Sequence, residues 1–161
     1  MKELSLYKNY GHSFLPKLAF DFVSMVEKQA GAVYQDMGLV IPVITSSTLV
    51  LIANQEKASL LEIARGLGIP HQLAAQRVKA LLKLHVIDAD KDNADKRRTN
   101  YQLTASGNQQ HQLLLTYLSH ADKVFAALTE EFGVDLMAVL TAVNKSFAER
   151  PLASRIREGG V

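Results

Sequence analysis

The chain has no cysteine. That single absence removes disulfides, thiolate metal sites and cysteine-based oxidation sensing, and it accords with a cytoplasmic protein. No apolar run approaches the roughly 20 residues that a membrane-spanning helix needs; the longest, such as 49–53, are core-sized. The N-terminus carries Lys2, Glu3 and Lys8 without the apolar block of a secretory leader, so no signal peptide is expected. No internal repeat or low-complexity segment occurs. HExxH, GxSxG and phosphate-loop motifs are all missing, and the Ser, His and Asp residues are scattered. Of the five histidines, His111 and His120 share a predicted helix at a spacing that does not bring them together. The sequence therefore points to no enzyme, no cofactor and no metal site.

What is present describes a folded module. At 161 residues with 48% hydrophobic content, the chain is long enough to bury a core and too apolar to be disordered. Its net charge is only +2, but the distribution is uneven: eight cations and four acids lie between Arg65 and Arg98. A basic segment on a near-neutral body is the footprint of a surface that meets phosphates, and equally that of a solvated charged loop.

Apolar spacing predicts a long helix over 14–37, with Pro16 in its first turn and Gly38 as its stop. Gly31 inside it costs about 1 kcal/mol relative to alanine. The β-branched run over 42–53 admits a strand, but its length favours a helix. Residues 54–57 read as a polar connection. Ser59 and Glu62 form a capping-box pattern that opens a short helix over 60–67, which Gly68 ends. Pro70 opens the next helix, over 70–84. In that helix Ala74, Val78 and Leu81 share one face, with Leu82 beside them. Gln72, Ala75, Gln76, Lys79 and Lys83 recur on the opposite face.

The result is a helix-turn-helix pattern, which is weak evidence alone because two short helices and a turn are common. Two short strands follow, over 86–90 and 98–103, joined by a charged tip at 91–97. Thr104 caps a helix over 105–131, with Gly107 a mild cost in its first turn. A last long helix covers 134–149, Pro151 stops or kinks it, and 154–161 reads as a loose tail. The expected fold class is mainly α with a small β-hairpin.

At the hairpin the chain resembles a known family. Asp95-Lys96-Arg97-Arg98, followed by Tyr101-Gln102-Leu103-Thr104-Ala105-Ser106-Gly107, is similar to the wing signature of the MarR family of winged helix-turn-helix regulators. That signature is Asp-x-Arg, a short strand, Leu-Thr, then Gly after two more residues. The helix-turn-helix lies upstream at the family's spacing. The resemblance spans 38–107 by motif, and the flanking helices agree in order and length.

The resemblance implies one domain over 1–161. A winged helix-turn-helix DNA-binding lobe covers 39–104, and dimerisation helices cover 1–38 and 105–161. It implies a homodimeric transcription regulator, a repressor, on a pseudo-palindromic double-stranded DNA operator. The helix over 70–84 becomes the recognition helix. His71, Gln72, Ala75, Gln76, Lys79 and Lys83 then face DNA, and Arg98 serves a phosphate. Arg97 enters the minor groove, oriented by Asp95. Release by a small aromatic or phenolic effector is also implied, with His12, Phe14, Tyr34, Met37 and Tyr117 as lining; ordinary core packing is the competing reading of those five. The chain departs from the pattern in three places. Ala75-Gln76 stand where Thr-Arg or Ser-Arg is common, His85 where glycine is usual, and Lys79 where an acid is common. Two other functions remain open at this point: a winged-helix protein–protein module that does not read DNA, and a small-molecule-binding helical protein.

Overall fold

The computed structural model describes residues 9–91 and 98–159. Contacts divide the chain into two compact units that meet between Tyr117 and Leu118, inside one long helix.

In the first unit, helical residues 9 and 10 lead into a 3-10 turn, Gly11–Phe14, that runs into α1, Leu15–Asp36. A second 3-10 turn, Val43–Thr45, leads into α2, Ser46–Gln55, so the β-branched run is helical as its length suggested. A two-residue strand, β1 (Ala58–Ser59), then precedes α3, Leu60–Leu67. The capping box is formed in full. Glu62 N–H donates to Ser59 Oγ at 3.4 Å, and Ser59 N–H donates back to Glu62 Oε2 at 2.8 Å. Gly68 ends α3 in the left-handed region at φ 62°, a conformation that disfavours any Cβ. Pro70 sits just outside α4, His71–Lys83, in extended backbone rather than at the first helical position.

The hairpin is β2 (Ile87–Lys91) and β3 (Thr99–Leu103), antiparallel, with Ile87 opposite Leu103 and Lys91 opposite Thr99. The sheet order is β1-β3-β2, because Ala58 and Ser59 pair with Tyr101 and Asn100. The polar connection expected before α3 therefore ends in a third strand. Leu49, Ile52, Ile63, Leu81, Val86, Ile87 and Leu114 are fully buried and fuse α2, α3, α4 and the hairpin into one core. Ala74, Val78 and Leu81 face inward as their spacing requires.

α5, Ala105–Phe132, starts at Thr104. The threonine hydroxyl donates to His85 C=O at 2.8 Å and accepts from Gly107 N–H at 2.9 Å. Further along, Gln110 accepts from Val40 N–H at 2.8 Å and donates to Gly38 C=O at 3.1 Å, clamping the loop after α1.

The second unit holds the end of α5, then α6 (Leu136–Glu149) and α7 (Leu152–Glu158). Asp135 caps α6 by accepting from Ala138 N–H at 2.9 Å. The expected loose tail is instead α7 through Glu158. Pro151 ends one helix and opens another. Arg155 then fixes the new helix: it donates to Ser146 C=O and Oγ, both at 2.6 Å, and lies 4.8 Å over the Phe147 ring. Sequence periodicity cannot reveal a seven-residue helix stabilised by such contacts. Among the described residues no helix is long and apolar enough to cross a membrane, and no three His, Cys, Asp or Glu side chains gather as a metal site.

Candidate nucleic-acid interface

α4 is pinned from behind. Its apolar face is locked into the core by Ala74, Val78 and Leu81, so the opposite face is fixed in space. At about 100° per residue, Gln72, Gln76, Lys79 and Lys83 fall in a strip roughly 60° wide. All four are exposed. Ala75 lies half-buried at the edge of that strip, and His71 is exposed at the helix start. The strip thus combines two amides, able to pair with base edges, and two ammonium groups, able to meet phosphates.

Arg77, one residue past Gln76, was visible in the sequence only as one more cation. In the structure it leaves the strip and donates from Nη1 to Ser47 Oγ at 3.3 Å, tying α4 to the first turn of α2. Its Nε is buried, with no hydrogen-bond partner among the described residues.

Asp95 and Arg97, which carry the family resemblance, lie outside the described residues. Arg98 is described. Its Nη2 donates to Glu62 Oε1 at 2.6 Å and its Nε to Asn100 Oδ1 at 3.2 Å. Three donors converge on Glu62: the Ser59 amide first, then the Ser59 hydroxyl at 2.7 Å, then Arg98. Together they hold its carboxyl well below the usual range, at about 2. A second ion pair, Lys57 Nζ to Asp90 Oδ2 at 3.0 Å, reaches β2. A shallow depression of about 480 Å³ lies at this junction, lined by residues including Ser59, Glu62, Arg65, Arg98 and Tyr101. Sequence reading placed Glu62 in the capping box; its second partner lies 36 residues away and left no local signal.

The five residues considered for an effector do not meet within one chain. Tyr34, Met37 and Tyr117 join the core. The Tyr34 hydroxyl is bonded to Ser46 Oγ at 2.7 Å, its ring meets Tyr117 edge-on at 4.8 Å, and burial raises its pKa. His12 and Phe14 sit at the other end of α1, about 30 Å away along a helix rising 1.5 Å per residue. There Phe14 stacks on Tyr10 at 5.0 Å.

No family model and no curated protein sequence matches the chain. Solved structures do. A MarR protein from Peptoclostridium difficile aligns with a TM-score of 0.67 at 16% identity, covering 86% of this chain and 87% of the other. The adhesin competence repressor AdcR from Streptococcus pyogenes aligns with a TM-score of 0.60 at 19% identity, covering 84% and 96%. A MepR mutant from S. aureus, bound to an oligodeoxyribonucleotide, aligns with a TM-score of 0.51 at 22% identity, covering 81% and 96%. These likenesses, with the three-stranded sheet beside the helix-turn-helix, give the chain the winged helix-turn-helix fold of MarR-type structures.

Proposed function

We propose that the chain is a non-enzymatic, sequence-specific DNA-binding transcription regulator, a repressor, that works as a homodimer on a pseudo-palindromic operator. The observation behind this reading is the strip Gln72, Gln76, Lys79 and Lys83, exposed on a helix whose other face is locked into the core. A helix fits the major groove of B-DNA, and a glutamine reads adenine through N6 and N7 with about 1–3 kcal/mol of discrimination. The lysines add affinity that falls with salt. The MepR relative seen with an oligodeoxyribonucleotide supports the same use of the fold.

The dimer rests on unpartnered apolar surface. In the first unit, α1 leaves Leu15, Leu18, Phe20 and Val23 exposed, Phe20 at 66%. In the second, α6 leaves Met137, Leu140, Val143 and Phe147 exposed, Met137 at 81%. Apolar surface on this scale marks association. A second copy also supplies the second recognition helix that a two-fold operator demands, one DNA turn away.

Selection of bound sequences from random duplexes tests the proposal, followed by affinity measurement against salt. A two-fold-related motif and salt-dependent binding are expected. Arg97→Ala should weaken binding strongly while the dimer stays folded, and Gln76→Ala should change base preference at one position per half-site. No enriched motif, or affinity indifferent to salt, would sink it. Repeating the selection with aromatic and phenolic acids tests release by an effector.

A further inference from the structure

Two ion pairs tie the hairpin to the front of the helix-turn-helix, one to each strand. Lys57, just ahead of β1, reaches Asp90 in β2. Glu62, in the first turn of α3, reaches Arg98, the residue just before β3. The Glu62 carboxylate is divided between two tasks: Oε2 accepts from the Ser59 amide and hydroxyl, and Oε1 accepts from Arg98. One side chain thus closes the capping box and grips the wing. The guanidinium also donates through Nε to Asn100, the residue paired with Ser59 across β1 and β3.

As contributions to stability these pairs are small. Glu62 and Arg98 are 44% and 45% exposed, and solvated pairs contribute at most about 1 kcal/mol. Their location is what distinguishes them. β1 gives β3 only two paired residues on that side, so backbone pairing alone is a short hinge for the hairpin.

We infer that Glu62 and Lys57 are positioning residues. Acting through Arg98 and Asp90, they set the angle of β2 and β3 against α3 and so the placement of those strands relative to the polar strip of α4. The role at DNA rests on the function proposed above. Arg98 becomes a strut of the wing instead of a phosphate contact. Glu62 touches no nucleic acid, yet its charge governs how well both DNA-facing elements engage one duplex together.

The experiment compares the full-length wild type with Glu62→Gln, Arg98→Gln and the double variant. Duplex affinity is measured on the selected sequence, and amide exchange on the free proteins. Glutamine still completes a capping box, so Glu62→Gln removes the charge and spares the helix start. Affinity should fall about two- to five-fold in each single variant, the most that a pair of about 1 kcal/mol can impose, and the double should be no worse than either, because the two residues act as one unit. Exchange in Glu62→Gln should accelerate several-fold in β3 while Val78 and Leu81 in α4 keep wild-type rates. Unchanged affinity in Glu62→Gln would overturn the inference, as would additive losses or a uniform acceleration in β3 and α4. A wild type that binds no duplex sinks the DNA reading, whereas β3-selective exchange in Glu62→Gln would still uphold the strut.

Discussion

Replacing Gly107 with alanine should destabilise the fold severely, although the change improves intrinsic helix propensity. Gly107 lies in the first turn of α5, where alanine is favoured over glycine by about 1 kcal/mol. The structure opposes that gain. A Cβ at Gly107 would stand 1.8 Å from the Val86 carbonyl oxygen, 2.9 Å from its carbon and 3.1 Å from Leu103 Cδ2. Ordinary contact begins near 3.4 Å, so the first atom must retreat by about 1.6 Å. That atom is backbone, it belongs to a fully buried residue, and it accepts from Thr104 N–H at 3.1 Å. The helix start cannot move away freely either, because the Thr104 hydroxyl links His85 C=O to Gly107 N–H.

Relief therefore breaks two or three hydrogen bonds worth about 1 kcal/mol each, and repacks the core beside Leu103 for about 1–3 kcal/mol. Set against the propensity gain, the net loss is about 2–5 kcal/mol, or very roughly 6–15 °C in Tm for a chain of this size. Urea unfolding at fixed protein concentration measures it, with an unchanged m value as the check that stability alone has moved. Gly31→Ala is the control. Nothing lies within 4 Å of a Cβ there, so it should gain up to about 1 kcal/mol. A Gly107→Ala protein as stable as wild type would refute the close approach and the reasoning built on it.

Other substitutions test other contacts. Glu62 has an ordinary carboxyl pKa of 4.5 and a folded value of about 2, so its charge stabilises the fold fully above about pH 4.5 and loses that effect as pH falls through 2. The shift would correspond to about 3 kcal/mol, which solvent at 44% exposure screens to about 1 kcal/mol. Urea midpoints of wild type and Glu62→Gln should accordingly differ near pH 7 and converge toward pH 2; a constant gap would contradict this. His85 occupies φ 54°, so His85→Val should cost about 1–3 kcal/mol. His85→Gly should stay within about 0.5 kcal/mol, because relief of strain is offset by a more flexible unfolded chain; equal thermal shifts in both variants would argue against backbone strain. Gln110 is 8% exposed and clamps Gly38 and Val40, so Gln110→Ala should lose about 2 kcal/mol in denaturant unfolding. A change under 0.5 kcal/mol would mean that water replaces the clamp.

The parts legible in the sequence are those fixed by local rules. Ser59 and Glu62 announced the start of α3, Gly68 its end, and 3.6-residue spacing separated Ala74, Val78 and Leu81 from Gln72, Gln76, Lys79 and Lys83. The parts that were not legible depend on partners distant in sequence. β1 is a strand only because Tyr101 and Asn100 pair with Ala58 and Ser59; two residues carry no period of their own. α7 depends on Arg155 reaching Ser146 and Phe147. Arg98 and Arg77 were visible as charges, but a side chain's charge does not say whether it faces solvent, a carboxylate or a hydroxyl. Glu62 and Ser47 make that difference here.

The residues that carry the resemblance and those that would carry specificity are different residues. Leu103, Thr104 and Gly107 form part of the family signature, and each has a structural task. Leu103 packs against the core, Thr104 bridges His85, just past α4, to the start of α5, and Gly107 lets α5 approach Val86. None lies on the polar strip of α4, so keeping them preserves the fold and specifies no base pair. His85, where the family usually has glycine, retains the positive φ that glycine would supply, so this departure changes strain and not geometry. Ala75 and Gln76 are another matter. They depart from the family's usual residues at the two edges of the exposed strip, where, on the proposed function, losing an arginine removes a guanine and phosphate contact and gaining an amide offers an adenine contact. On the proposed DNA-binding function, a chain that keeps the lock and changes the reader should hold the duplex in the same way and prefer a different sequence.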